Sequence, residues 1–154
     1  KTREALGLSG KVNDPLADVA LVWFQEARRL IGRTARVKLE EAAAEALPFD
    51  DASLDLVVSS FLLHELPQEI RGAAIAEMAR VVKPDGLVVI VDSIQKGDRP
   101  EWDGLLDLFP YYFHEPYYAD YVTGSLEAWC ATAGLVPVSN ENAFLSKVLA
   151  FTRV

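Results

Sequence analysis

Cysteine is almost absent from this chain. Cys130 is the only one in 154 residues, so neither an intrachain disulfide nor a cysteine-rich zinc site can form. So few thiols fit a reducing compartment. Histidine is scarce too. His64 and His114 lie far apart in sequence, no third ligand stands out beside them, and no metal is expected. Long apolar runs are also missing. The longest, Gly86 to Val91, has the length of a strand, whereas a bilayer span takes roughly 20 residues; no membrane span is expected. Basic residues are outnumbered, 15 Lys and Arg against 23 Asp and Glu, for a net charge of −8. Phosphate binding needs a basic face, so nucleic acid is not an expected partner. No repeat, low-complexity tract or signal-peptide pattern is visible. Finally, Gly-x-Gly occurs nowhere in the chain.

What remains is the composition of one folded domain, 51% hydrophobic and 25% charged. Residues 1–13 read as an irregular polar arm, and residues 14–154 as the domain. Asp14-Pro15 is a helix-start signal, and Leu16, Val19, Ala20, Trp23, Ala27 and Leu30 then recur at helical spacing, predicting a helix over about 15–31. A degraded strand over 17–23 is the alternative. Val37 to Glu40 alternates as a short strand. Leu54 to Ser60 is a nearly continuous apolar run, as expected of a strand covered on both faces. Pro67 opens a helix whose apolar positions run to Val82, Lys83 to Gly86 reads as a tight turn, and Leu87 to Val91 forms a second buried strand ending in Asp92. Residues 93–118 read as long and irregular. Ser125 caps a helix through Ala133, and Val136–Val138 and Lys147–Thr152 form an antiparallel edge pair. The fold expected is α/β: a Rossmann-like doubly wound sheet, mostly parallel with an antiparallel C-terminal hairpin, its N-terminal strands missing.

Four linked blocks carry a resemblance. Ala44-Glu45-Ala46-Leu47-Pro48-Phe49, Ser53 to Val58, Leu63-His64-Glu65-Leu66 and Arg80 to Gly86 together resemble the class I S-adenosylmethionine-dependent methyltransferases. That family reads AEALPF, FDLV, LHHL and RVLKPGG at nearly these spacings. Asp92 to Gln95, Phe109-Pro110, Phe113 to Tyr118 and Phe144 to Lys147 are similar to a cyanobacterial and plastid-lineage branch. The resemblance covers roughly residues 35–154 and implies S-adenosylmethionine as cofactor, a small-molecule acceptor and a cytoplasmic or organellar (plastid) soluble compartment.

The departures matter as well. In that family a Gly-x-Gly-x-Gly turn meets the methionine carboxylate and an acidic residue meets the ribose. Neither is found here, and Ala43 stands where an adenine-binding carboxylate is expected. The chain thus reads as the C-terminal two-thirds of such a domain, with weak cofactor binding expected. Each missing charge-assisted contact costs roughly 1.5–3 kcal/mol, so two or three weaken binding by about a thousandfold. A missing first strand leaves a sheet edge to cover, for which a second copy or a protein partner is one solution.

Several residues gather where such sheets bind ligands, outside the C-terminal ends of the strands. The resemblance implies that Ala44, Glu45 and Ala46 meet the adenine. Ser59 and Phe61 end the first central strand, where Phe61 either floors the pocket or joins the core. His64, beside Glu65, is assigned to the cofactor side, with an acid–base pair and a structural helix entry both open. Asp92 ends the second strand, to orient an acceptor or to cap the next segment. His114, Glu115 and Tyr118, in the densest polar–aromatic stretch, either hold a flat acceptor or fix the loop. Glu40-Glu41 and Asp50-Asp51 read as solvated turns, and Cys130 as a buried thiol. Two functions follow from these residues: methyl transfer to a small molecule, or a pseudo-methyltransferase serving as a binding or assembly module in a larger complex.

Overall fold

The computed structural model describes residues 40–153. The arm, the helix expected over 15–31 and all but the end of the strand expected at 37–40 lie outside them. Among the described residues, four strands form one sheet in the order β1-β2-β4-β3: β1 (Leu54–Ser60), β2 (Val82–Ser93), β3 (Leu135–Ala143) and β4 (Ser146–Arg153). β1 and β2 are parallel, with Val57 opposite Val88 and Ser60 opposite Val91. β4 runs antiparallel to both β2 and β3. This is the mixed α/β sheet expected, with the hairpin strands longer than the sequence suggests.

Helix α1 (Gln68–Val81) links the two parallel strands. Its buried positions Arg71, Ala74, Ile75, Met78 and Ala79 recur at three and four residues, so one stripe faces the sheet. That stripe meets Val88 and Ile90 of β2 and Leu149 and Phe151 of β4, all fully buried. Burying each such side chain stabilises the fold by roughly 1.5–3 kcal/mol. The stripe's first member is a charged residue, Arg71, only 1% exposed. It sits at the end of the helix nearest the C-terminal edge of the strands.

The structure corrects two local expectations. Lys83 to Gly86 is not a tight turn before the strand but part of β2, where the register slips between Leu54 and Leu56. The close approach explains the glycine: a Cβ at Gly86 would lie 2.8 Å from the Asp55 carbonyl oxygen. Residues 93–118 are not irregular throughout. After a 3-10 turn at Pro100–Trp102 come α2 (Asp103–Phe113), with Pro110 inside it, and α3 (Tyr118–Thr123). Then follows α4 (Leu126–Thr132), whose Ser125 side chain accepts from the Ala128 amide as expected of an N-cap. No helix among the described residues is long and apolar enough to cross a membrane.

Side-chain hydrogen bonds strap α3 and α4 to the end of β2. The Gln95 amide donates to the Tyr121 carbonyl and accepts from the Leu126 N–H. The Tyr121 hydroxyl donates to the Ser93 carbonyl. Buried Lys147 of β4 joins Asp98 and Glu127 at 3.0 and 3.3 Å.

Candidate active site

β1 and β2 end side by side, and both chains continue into the site. Phe61 extends the ladder by one bond, its N–H donating to the Val91 carbonyl at 2.8 Å, and then adopts a left-handed conformation with φ of 49°. For a bulky side chain that is strained backbone, of the kind held at functional sites. The chain turns sharply into the 3-10 turn Leu63–Glu65 and carries His64 back over the strand ends.

Asp92, fully buried at the end of β2, fixes that turn. One carboxylate oxygen accepts from the Leu63 N–H at 2.9 Å, and the other meets His64 Nδ1 at 2.5 Å and the Ser93 N–H at 2.8 Å. An acceptor-only carboxylate on Nδ1 keeps a proton there, so in the neutral ring Nε2 is the bare nitrogen. Nε2 points toward the Glu115 carboxylate, 3.8 Å away, and toward Glu65 at 3.7 Å. The Tyr118 ring packs edge-on to His64, and its hydroxyl meets Ser93 Oγ at 2.6 Å.

The electrostatics follow from this packing. Burial alone depresses the His64 pKa, but the Asp92 hydrogen bond and the charges of Asp92, Glu115 and Glu65 outweigh it and raise the imidazole above its ordinary value. Burial, with help from Glu65 and Asp92, raises Glu115 against the pull of His64. Tyr118 is likewise pushed up by burial. One buried oxygen of Glu115, Oε2, lacks a hydrogen-bond partner.

A second feature lies on the other side of β1. The turn at Ala44–Phe49 and the strand enclose an apolar groove of about 300 Å³, lined by Ala44, Leu47, Leu56, Leu62 and Met78 among others. Ser59 faces into it, 3% exposed, with no hydrogen-bond partner for its hydroxyl. The turn is tied to α1: Glu77 accepts from the Leu47 N–H, and Arg80 donates to the Leu47 and Phe49 carbonyls and to Asp51.

The structure thus brings His64, Asp92, Glu115 and Tyr118 into one cluster, while Ala44 and Ser59 share the groove. Glu45 and Ala46 are exposed beside it and do not line it. His114 is also exposed, at the left-handed end of α2, and it is Glu115 that reaches His64. Phe61 is half exposed, which excludes the core reading. Asp50 and Asp51 are exposed, Asp51 pairing with Arg80, and Cys130 is buried as expected. His64, Glu65 and Glu115 offer ligand atoms within 4.8 Å of one another, the one such group among the described residues. Apart from this proximity nothing points to an ion, and Glu65 is half exposed. Sequence reading passed over Arg71, whose signal was a charged side chain in an apolar helical stripe.

The fold is the Rossmann-like fold of methyltransferases. An O-methyltransferase family protein from Burkholderia thailandensis superposes with a TM-score of 0.64 at 19% identity, over 84% of this chain and 40% of that one. In sequence, residues 16–90 match the family model described as a methyltransferase domain. The ubiquinone/menaquinone biosynthesis C-methyltransferase UbiE of Citrifermentans bemidjiense is 37% identical over 78 residues, 51% of this chain and 31% of that protein. The demethylmenaquinone methyltransferase of Lysinibacillus sphaericus is 32% identical over 110 residues, 71% of this chain and 44% of that protein. The chain spans less than half the length of these curated relatives.

Proposed function

We propose that this chain carries the acceptor side of an S-adenosylmethionine-dependent methyltransferase, acting on a small molecule whose nucleophile loses a proton to His64. The observation that carries this reading is the Asp92–His64 hydrogen bond, which in the neutral ring leaves Nε2 bare and turned toward Glu115 at the ligand-binding edge of the sheet. The apolar groove with one unpartnered hydroxyl suits a flat heterocycle that needs a hydrogen bond, so Ala44, Leu47, Leu62 and Met78 would hold the adenine and Ser59 would bond to it. When bound, the cofactor supplies an electrophilic methyl group. His64 accepts the proton of an acceptor hydroxyl or acidic carbon through Nε2. Asp92 keeps Nδ1 protonated throughout, and Glu115 stabilises the imidazolium that results. Tyr118 and Phe61 shape the cleft around the acceptor, with alignment and exclusion of water contributing the rest.

The relatives named for quinone biosynthesis make a reduced demethylmenaquinone-type quinol the first acceptor to try. Because the sequence carries neither the glycine turn nor the ribose acid, millimolar cofactor is needed. Mass spectrometry should then detect methylated product from the whole chain, and His64→Ala should lower turnover by roughly 10²–10⁴, the usual worth of a general base. The rate should rise with pH as His64 loses its proton, with an acid limb above about 6.5, the ordinary histidine value. Asp92→Asn removes the largest of the contributions that raise that pKa, so the limb should move to lower pH while the plateau falls. A His64→Ala protein as fast as the parent would reject the base. Bound cofactor with no product from any acceptor would favour the non-catalytic binding module.

A further inference from the structure

Arg71 is a large charged side chain, 1% exposed, that the proposed chemistry does not use. A buried guanidinium must place its donors on buried acceptors to offset its desolvation. Two donors are placed on carbonyls of the His64 turn and a third on a half-exposed carboxylate of α3. Nε donates to the Leu63 carbonyl at 2.9 Å and Nη2 to the Leu66 carbonyl at 2.9 Å, so the fork spans the turn that presents His64 and Glu65. Nη1 donates to Asp120 at 2.8 Å, and Asp120 belongs to α3, which begins at Tyr118 three residues after Glu115. The guanidinium carbon Cζ lies over the rings of Trp129 and Tyr121, 4.6 and 5.4 Å from their centroids.

Both peptides that flank the Leu63 Cα are therefore gripped, the one before it through its N–H by Asp92 and the one after it through its carbonyl by Arg71. With one peptide plane held on each side of its Cα, Leu63 has little freedom to turn about φ or ψ, and the second of these planes leads directly into His64. Asp92 alone fixes the tautomer of His64. The position of the ring relative to Glu115 depends on a group bonded both to the His64 turn and to the helix after Glu115. Among the described residues, Arg71 is bonded to both.

We propose that Arg71 is a positioning residue that couples the His64 turn to the Glu115–Tyr121 segment and so sets the separation of His64 Nε2 from the Glu115 carboxylate. The proposal rests on the reading of His64 as the group that faces the acceptor. It requires the planar fork and not merely a positive charge. Lysine keeps the charge but cannot span two carbonyls and a carboxylate in one plane.

The test uses the whole chain and the variants Arg71→Lys, Arg71→Met and Asp120→Asn. The first readout needs no acceptor. In the parent, nuclear magnetic resonance of the labelled His64 ring should show a strongly downfield Nδ1 proton, the mark of its short bond to Asp92. In Arg71→Lys, which retains charge and most of the volume, that signal should broaden or shift while the circular dichroism spectrum and cofactor affinity stay as in the parent. Asp120→Asn leaves the fork on both carbonyls, so it should preserve the His64 signal and alter only the response to acceptor. The second readout is kinetic. Arg71→Lys should lower kcat at least tenfold with the cofactor KM within twofold, and Arg71→Met should be slower still. Lower melting temperatures alone, with the His64 signal and the rate per folded molecule unchanged in both Arg71 variants, would overturn the proposal. If the parent transfers no methyl group at all, the resonance arm still decides the positioning role separately from the reaction. An Arg71→Met protein that fails to fold leaves the lysine variant to decide it.

Discussion

Asp92 shows how much one buried carboxylate can specify. Its two oxygens hold a turn, a tautomer and the start of the next segment. Gly124 is the apolar counterpart. A Cβ there would lie 2.1 Å from the Trp129 ring, the ring on which the Arg71 guanidinium rests. Gly124→Ala should therefore force Trp129 aside and destabilise the fold by roughly 1–3 kcal/mol, as overpacking does. Denaturant unfolding measures that loss. The same substitution should disturb the His64 resonance through Trp129 and Arg71, although residue 124 touches neither His64 nor Asp92. A stability loss with the resonance untouched would place Trp129 outside the coupling.

Among the elements, the Ala44–Phe49 turn depends on α1 for its shape. Glu77 accepts from both Arg80 and the Leu47 amide, which together hold its pKa down at about 2. Folded-state depression means the contribution to stability is present above the ordinary carboxylate range and fades as pH falls toward 2. Glu77→Gln should loosen the groove, raising the cofactor KM severalfold while the pH limb assigned to His64 stays where it is. Calorimetry and the pH–rate profile check the two halves. The Leu54–Ser60 strand was legible as a continuous apolar run, although Leu56 and Val58 prove half exposed and, among the described residues, the strand is not covered on both faces. Helix α1 was legible from its helical stripe, the helix after Ser125 from its cap, and the hairpin from its two short apolar runs. Helix α2 was not, since Pro110 lies inside it and Leu105, Leu108, Tyr111 and Tyr112 remain exposed, so no single apolar face marks it. In the site, strand-end position pointed to Asp92 and Ser59. The pairing of His64 with Glu115 depends on where α2 and α3 fold back, and local pattern does not encode that. Arg71 was hidden for the opposite reason: its helix reads so clearly as core that a charge within the stripe was passed over.

At the scale of the whole described domain, the sheet and the cluster share one body of buried side chains, and Cys130 lies within it. Burial and the nearby Glu127 raise its thiol to about 12, against the pull of Lys147. It should resist thiol reagents at pH 8 in the native state and react as the domain unfolds. The labelling rate across a denaturant series should therefore follow the loss of ellipticity. Fast labelling under native conditions would mean that α4 opens locally, and with it the strap through Gln95.

The strand order has one more consequence, for synthesis rather than for chemistry. β4 lies between β2 and β3 although it comes after both in the chain. Until β4 emerges, the edge of β2 facing it has no strand to pair with, and that edge runs through Val88, Val89, Ile90 and Val91, an apolar β-branched stretch. About fifty residues separate the end of β2 from the start of β4, and at roughly 5–20 residues per second the exposure lasts on the order of 3–10 seconds. A nascent chain stalled in that interval presents an open template for pairing with its neighbours. The same interval delivers residues 98–120, with six acidic side chains against one arginine, and like net charge opposes the close approach of neighbouring chains.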